Sequence, residues 1–169
     1  MSIETQIRKT RERLLALASK LSFLAPFLMR VSLAAIFIVS GWGKLHTLDK
    51  ITEYFASLNI PMPGLNARVA ASTEFFGGIL LLVGLGTRLV ALPMGFTMVV
   101  AILTAKRPEI DGITTLVSFD EWVYLIMFIS IALIGPGALS LDALIARRRL
   151  TVGIGNSFRR VEDRSMAAD

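Results

Sequence analysis

The sequence predicts an all-α polytopic membrane protein, four transmembrane helices packed as a compact bundle, and three observations carry that reading. The chain of 169 residues is 54% hydrophobic with a mean hydropathy of +0.65, above the roughly 45–50% apolar share of a soluble domain. Charged residues are only 18% of the total and gather in the termini and two loops. Between them, the apolar runs approach the ~20 residues that cross a hydrocarbon core about 30 Å thick. The organisation expected is a basic cytoplasmic N-terminal helix at 1–20, one membrane domain at 21–150 and a polar cytoplasmic tail at 151–169.

The N-terminal stretch holds Arg8, Lys9, Arg11, Arg13 and Lys20. Ile3, Ile7, Leu14, Ala18 and Leu21 fall on one helical stripe, so an interfacial helix leading into the bilayer is expected. Its charged start is too long for a signal peptide, and no small-residue cleavage site follows.

A first span is expected over Leu21 to Gly43. Arg30 interrupts its first half, and Gly41-Trp42-Gly43-Lys44 closes it with an aromatic and a cation suited to the interface. Leu45 to Arg68 reads as a longer loop. Leu48, Ile51, Phe55 and Leu58 recur there at helical spacing, so it carries a short surface helix, which Asn59-Ile60-Pro61-Met62-Pro63-Gly64 ends.

The second span covers Ala67 to Leu85 and carries Glu74. Gly86-Thr87-Arg88 is a tight polar turn. The third runs from Leu89 to Ala105, with Pro93 expected to kink or weaken it near its start. Lys106 to Asp120 is expected as a loop, broken by Pro108 and Gly112. The fourth span runs from Glu121 to Ile134, with Trp122 and Tyr124 placed as interface anchors. Gly135-Pro136-Gly137 interrupts the chain, and Ala138 to Leu150 reads as an amphipathic segment ending in Arg147-Arg148-Arg149.

Lysine and arginine counts set the orientation. Five precede Leu21, six follow from Arg147 onward, and Arg88 makes twelve on one side. Lys44, Lys50, Arg68, Lys106 and Arg107 make five on the other. The bias puts both termini in the cytoplasm, which four spans satisfy.

Composition also excludes. With no cysteine, the chain offers no disulfide, thiol nucleophile or Cys-ligated metal. Its one histidine, His46, cannot build a bis-His haem site in a single copy. No metal-ligand spacing, phosphate loop or catalytic triad is present. The net charge of +5 does not indicate nucleic acid, because the cations flank apolar segments without interleaved aromatics. They read as topology signals and contacts to anionic lipid.

Glu74 is the residue that stands apart. An ionised carboxylate in hydrocarbon must be neutralised, paired or turned to a polar cavity, and its unpaired cost is roughly 2.5–3.5 kcal/mol on insertion scales. Arg30 and Lys44 are the candidate partners. At ~1.5 Å per residue, Arg30 and Glu74 are expected several ångströms apart in depth, while Lys44 reaches down from the outer end. The roles open to Glu74 are a structural ion pair or hydrogen-bonded network fixing helix register, a ligand or proton site, and a carboxylate facing a headgroup or water through local thinning of the bilayer. Gly77-Gly78, Gly84 and Gly86 permit close helix approach. Arg88 is expected at lipid phosphate or a helix C-terminus, and Asp142 as a partner of Arg88 or a cap of the last helix.

The chain resembles the DoxX family of small four-span membrane proteins. The resemblance rests on Arg30-Val31-Ser32-Leu33 leading to Ser40-Gly41-Trp42-Gly43-Lys44, then Ile60-Pro61, Ala71-Ser72-Thr73-Glu74, Gly77-Gly78 and Leu80-Leu81-Leu82. It continues through Gly84-Leu85-Gly86-Thr87-Arg88, Gly135-Pro136-Gly137 and Ser140-Leu141-Asp142. Together these cover Val31 to Leu150. The family is associated with quinone-linked oxidation, with thiosulfate:quinone oxidoreductase subunits and with membrane redox-stress complexes. Arg30, Lys44, Glu74 and Arg88 match its recurrent polar positions.

The resemblance implies an accessory subunit in membrane redox and oxidative-stress homeostasis, in the bacterial cytoplasmic (inner) membrane. A quinone would bind near Glu74, with Arg30 and Lys44 as companion site residues. Electrons would come from soluble redox partner proteins or across a homo-oligomer. A small transporter and a non-catalytic scaffold recruiting soluble partners are the alternatives. The sequence itself shows no enzyme active site.

Overall fold

The computed structural model describes residues 3–148, and among these every regular element is helical. The helices are α1 (Ile3–Leu21), α2 (Leu24–His46), α3 (Leu48–Ser57), α4 (Pro63–Val83), α5 (Thr87–Thr104), α6 (Ile113–Ser118) and α7 (Asp120–Ile134). A 3₁₀ turn, Arg107–Glu109, lies between α5 and α6, and residues 141–148 form a last helix, α8. The tail expected at 151–169, and the end of the expected 138–150 segment, lie outside the described residues.

Four long helices make the body. α2 packs along α4 and α5 along α7, and contacts of α4 with α5 and of α2 with α7 close the bundle. Its core is Leu33, Ala34, Phe37, Leu81, Ala91, Met94, Met98, Phe128 and Ile131. Small residues set the α2–α4 spacing, because a side chain there would hold the backbones apart. A Cβ on Gly41 would strike the backbone of Phe75, and one on Gly78 would lie 3.0 Å from the Ile38 nitrogen.

The outward faces are as apolar as the core. Val39, Leu89, Phe96 and Leu133 are each 66–75% exposed, and large apolar surface of this extent calls for something other than water against it. Among the described residues, two helices, α2 and α5, are long and apolar enough to cross a membrane, and only 33% of the apolar stretch of each is buried. α4 is of similar length but carries Arg68 and Glu74, and α7 has 15 residues.

Several boundaries differ from the expectation. The segment expected to close the first span, Gly41-Trp42-Gly43-Lys44, lies inside α2, which continues to His46. Glycine costs a helix about 1 kcal/mol, and packing of Gly41 on α4 offsets that cost. α4 starts at Pro63 rather than near Ala67, since proline at a first helical position has no amide to lose. α5 runs through Pro93 without interruption. The expected 106–120 loop contains the 3₁₀ turn and α6; its β-branched run hides the helical signal.

The short surface helix is present as α3. Its Ile51, Phe55 and Leu58 are half-buried against α4, while Asp49, Lys50 and Glu53 face out. Gly84 and Gly86 serve conformation, with φ of +73° and +59° at the two helix ends of the α4–α5 turn.

Candidate functional site

Polar groups enter the bundle at two opposite ends. Among the described residues the buried polar or charged side chains are Arg30, Glu74 and Thr87. Arg30 and Lys44 stand 14 residues apart on α2, about 21 Å along the axis at ~1.5 Å per residue. That separation places them in different sites.

At the end where α4 meets α8, the Gly84 amide bonds the Leu80 and Leu81 carbonyls, and the carbonyls of this last turn keep accepting capacity to spare. The Arg30 guanidinium supplies further donors. Nε donates to the Leu81 carbonyl at 2.9 Å and Nη2 to that of Leu82 at 3.2 Å. Nη1 donates to Leu139 at 3.0 Å and to Pro136, so one side chain ties α2, α4 and the Gly135-Pro136-Gly137 break together.

Asp142 completes this end. Its Oδ1 accepts from the Gly86 amide at 2.8 Å and its Oδ2 from the Thr87 amide at 3.0 Å. Gly86 has no side chain with which to cap α5, and Asp142 caps it from across the chain. Burial alone would raise the Asp142 carboxyl, but the Gly86 and Thr87 amides and the Arg30 charge outweigh it and hold the group below the usual carboxylate value. Asp142 is therefore a cap of α5, and Ser140 caps α8 by accepting from the Ala143 amide at 3.1 Å. Arg88 reaches a helix C-terminus, donating to the Ile134 carbonyl at 3.3 Å.

At the other end, Glu74 projects from α4 toward α2 and is nearly inaccessible. Both its oxygens are engaged: Ser40 Oγ donates to Oε2 at 2.8 Å, and Lys44 Nζ donates to Oε1. Ser40 and Lys44 lie four residues apart, on one face of α2. The partner of Glu74 is thus Lys44. Arg30 does not meet Glu74, because α4 is set so that Leu81 and Leu82, about two turns beyond Glu74, lie opposite Arg30.

Lys44 and Glu74 form part of the wall of a cavity of about 660 Å³ between α2, α3, α4, α5 and α7. Most of the wall is apolar, with the rings of Phe37, Phe55, Phe96 and Tyr124 among its lining. Tyr124, expected as an interface anchor, is half-buried here and packs edge-on to Phe37 with ring centroids 5.5 Å apart. Glu121, at the start of α7, also lines the cavity. His46 does not: it is exposed, stacks on Trp42 at 4.2 Å, and its Nδ1 lies 2.9 Å from the Trp42 carbonyl oxygen.

Sequence reasoning missed Ser40, Glu121 and the cavity position of Tyr124. The Ser40–Lys44 spacing was available as a signal. The cavity itself was not, since it needs α3 folded onto α4.

A bundle of this kind, with a buried carboxylate held by its neighbouring helix, defines a class rather than a reaction. The DoxX family model matches residues 25–107. "Inner membrane protein YqjF" of Escherichia coli (strain K12) is 29% identical over 130 residues, 76% of this chain and 98% of the relative. "Putative oxidoreductase CatD" of Bacillus subtilis (strain 168) is 32% identical over 120 residues, 70% of this chain and 84% of the relative. "Inner membrane protein YphA" of Escherichia coli (strain K12) is 33% identical over 118 residues, covering 67% and 84%. No solved structure matches. The chain belongs to the DoxX family.

Proposed function

We propose that this chain is a four-span protein of the bacterial inner membrane, both termini cytoplasmic, acting as an accessory subunit in membrane redox homeostasis. In this reading α2, α4, α5 and α7 are the spans, and the cavity beside Glu74 holds a quinone headgroup. The apolar outward faces support the membrane assignment, as does the enclosure of Glu74 in an ion pair, since intramembrane charges face a bundle interior and pair there. α7 is about 22 Å long at ~1.5 Å per residue, so the turn before it and the break after it complete its crossing.

The observation that carries the reading is one ion pair set into the wall of a mostly apolar cavity. Its volume lies within the roughly 300–1,000 Å³ of small-molecule sites, which pair apolar walls with a few placed polar groups. The aromatic rings offer faces on which a flat ring can stack. Lys44 offers donors to a carbonyl oxygen, and its bond to Glu74 aims the ammonium. A bound quinone would supply two-electron chemistry between carbonyl and hydroxyl forms. Its electrons would come from a partner protein, because the chain contains no cysteine and a single histidine.

Native mass spectrometry of the protein released from its own membrane tests this. A retained quinone mass that disappears when the cavity is filled by Ala101→Phe is the expected result. A soluble protein co-eluting without any small molecule would replace the reading with a scaffold.

A further inference from the structure

The residue that meets the ligand follows from which atoms of the ion pair are accessible. Only 4% of the Glu74 side chain is exposed, and both carboxylate oxygens already accept hydrogen bonds. The Lys44 side chain is 30% exposed and lines the cavity. An ammonium carries three donors, and Glu74 takes one of them. Within the ion pair, the free donating capacity therefore belongs to Lys44, with Glu74 behind it.

Charge then selects the ligand. The formally charged side chains lining the cavity are Lys44, Glu74 and Glu121, which together leave one negative charge. An anion would enter a space of its own sign between low-dielectric walls, where repulsion is screened far less than in water. A neutral molecule meets no such barrier.

Resting on the cavity reading above, we propose that Lys44 is the ligand-contacting group of this site, that Glu74 is its positioning residue, and that Glu121 helps restrict the cavity to neutral hydrogen-bond acceptors. The ligand class is then an uncharged carbonyl compound with an apolar body, its oxygen on Lys44 Nζ. Carboxylates, sulfonates and oxyanions of sulfur are turned away.

The test is equilibrium binding to the full-length protein in nanodiscs, with 2-methyl-1,4-naphthoquinone as neutral probe and 1,4-naphthoquinone-2-sulfonate as its anionic counterpart. The wild type is expected to bind the neutral probe at least tenfold more tightly. Lys44→Met should weaken the neutral probe at least tenfold, and Lys44→Arg should keep it within about fivefold. Glu74→Gln should weaken the neutral probe less than Lys44→Met does, while improving the sulfonate. Glu121→Gln, away from the ion pair, should improve the sulfonate at least threefold relative to the neutral probe, a change of selectivity that loss of folding cannot imitate.

Equal affinity for the two probes in the wild type would overturn the charge argument. Loss of the neutral probe in Glu74→Gln but not in Lys44→Met would make Glu74 the contact. If Ala101→Phe binds the neutral probe as well as the wild type does, or the wild type does not bind it at all, the cavity reading itself fails.

Discussion

Ser40 and Lys44 stand one helical turn apart on α2, and each holds a different oxygen of Glu74 on α4. Both oxygens of the carboxylate are thus held by α2, which ties the two helices in one register at that level. Breaking a buried pair by removing one partner costs about 3–5 kcal/mol, because the remaining charge has nothing to meet it. Lys44→Met is therefore expected to lower the stability of the purified protein by that order. The double variant Lys44→Met/Glu74→Leu, which leaves no orphan charge, should recover most of the loss. Thermal unfolding of both in one detergent checks this, and a double variant as unstable as the single one would contradict it.

The Arg30 fork makes a second prediction. Its bonds to the Leu81, Leu82, Pro136 and Leu139 carbonyls require donors spread in a plane, which a lysine ammonium cannot reproduce. With hydrogen bonds from a charged group worth about 1.5–3 kcal/mol each, Arg30→Lys should cost at least about 3 kcal/mol. Proteolysis near residues 135–140 should rise in step, because the break after α7 is tied to the bundle there. A variant as stable and as resistant as the wild type would show that the fork carries little.

Acid should act through Asp142. Its carboxyl is held below the usual value in the folded chain, so its stabilising contribution is complete above the ordinary carboxylate pKa and is lost as pH falls through the lower, folded value. The midpoint of thermal unfolding should therefore fall more steeply with acidification in the wild type than in Asp142→Asn, from about pH 4 downward. Parallel curves would remove the carboxylate from the account.

Helix spacing can be probed at Gly41. A methyl group there meets the Phe75 backbone, which cannot move without moving α4. Overpacking of this kind costs about 1–3 kcal/mol, so Gly41→Ala should be destabilising by that amount. The same change at Gly43, where a Cβ meets nothing within 4 Å, should be neutral or slightly favourable. Equal effects at the two sites would argue against α2–α4 contact as the cause.

Sidedness is open to direct labelling because the chain has no native cysteine. Glu53→Cys, exposed on α3, should react in intact cells with a membrane-impermeant maleimide. Ser22→Cys, between α1 and α2, should react only after lysis. The reverse pattern would invert the proposed topology.

Much of this architecture was legible in the chain because one physical signal dominates it. Long apolar runs, the α3 periodicity and the glycine-proline breaks each act locally, and α2, α4, α5 and α7 are all found near their expected places. Glu74 stood out for the same reason, as a charge among apolar neighbours. Its partner was not legible. Choosing Lys44 over Arg30 required the relative depth of α2 and α4, and that depth is fixed by Gly41 and Gly78, whose contacts lie across the helix pair. The cavity escaped for a related reason: it exists only where five helices fail to meet, and no single segment carries that fact. Asp142 shows the same limit, since its cap serves a helix that begins 55 residues earlier at Thr87.

The two polar ends are separated by a middle built from Leu33, Ala34, Leu81, Met94, Phe128 and Ile131, none of which can carry a proton. Hydrocarbon of that kind is an insulator. A proton taken up beside Glu74 has no relay of side chains toward Arg30, so it returns to the aqueous phase from which it came. Any proton the cavity exchanges would then pass through its own end of the bundle.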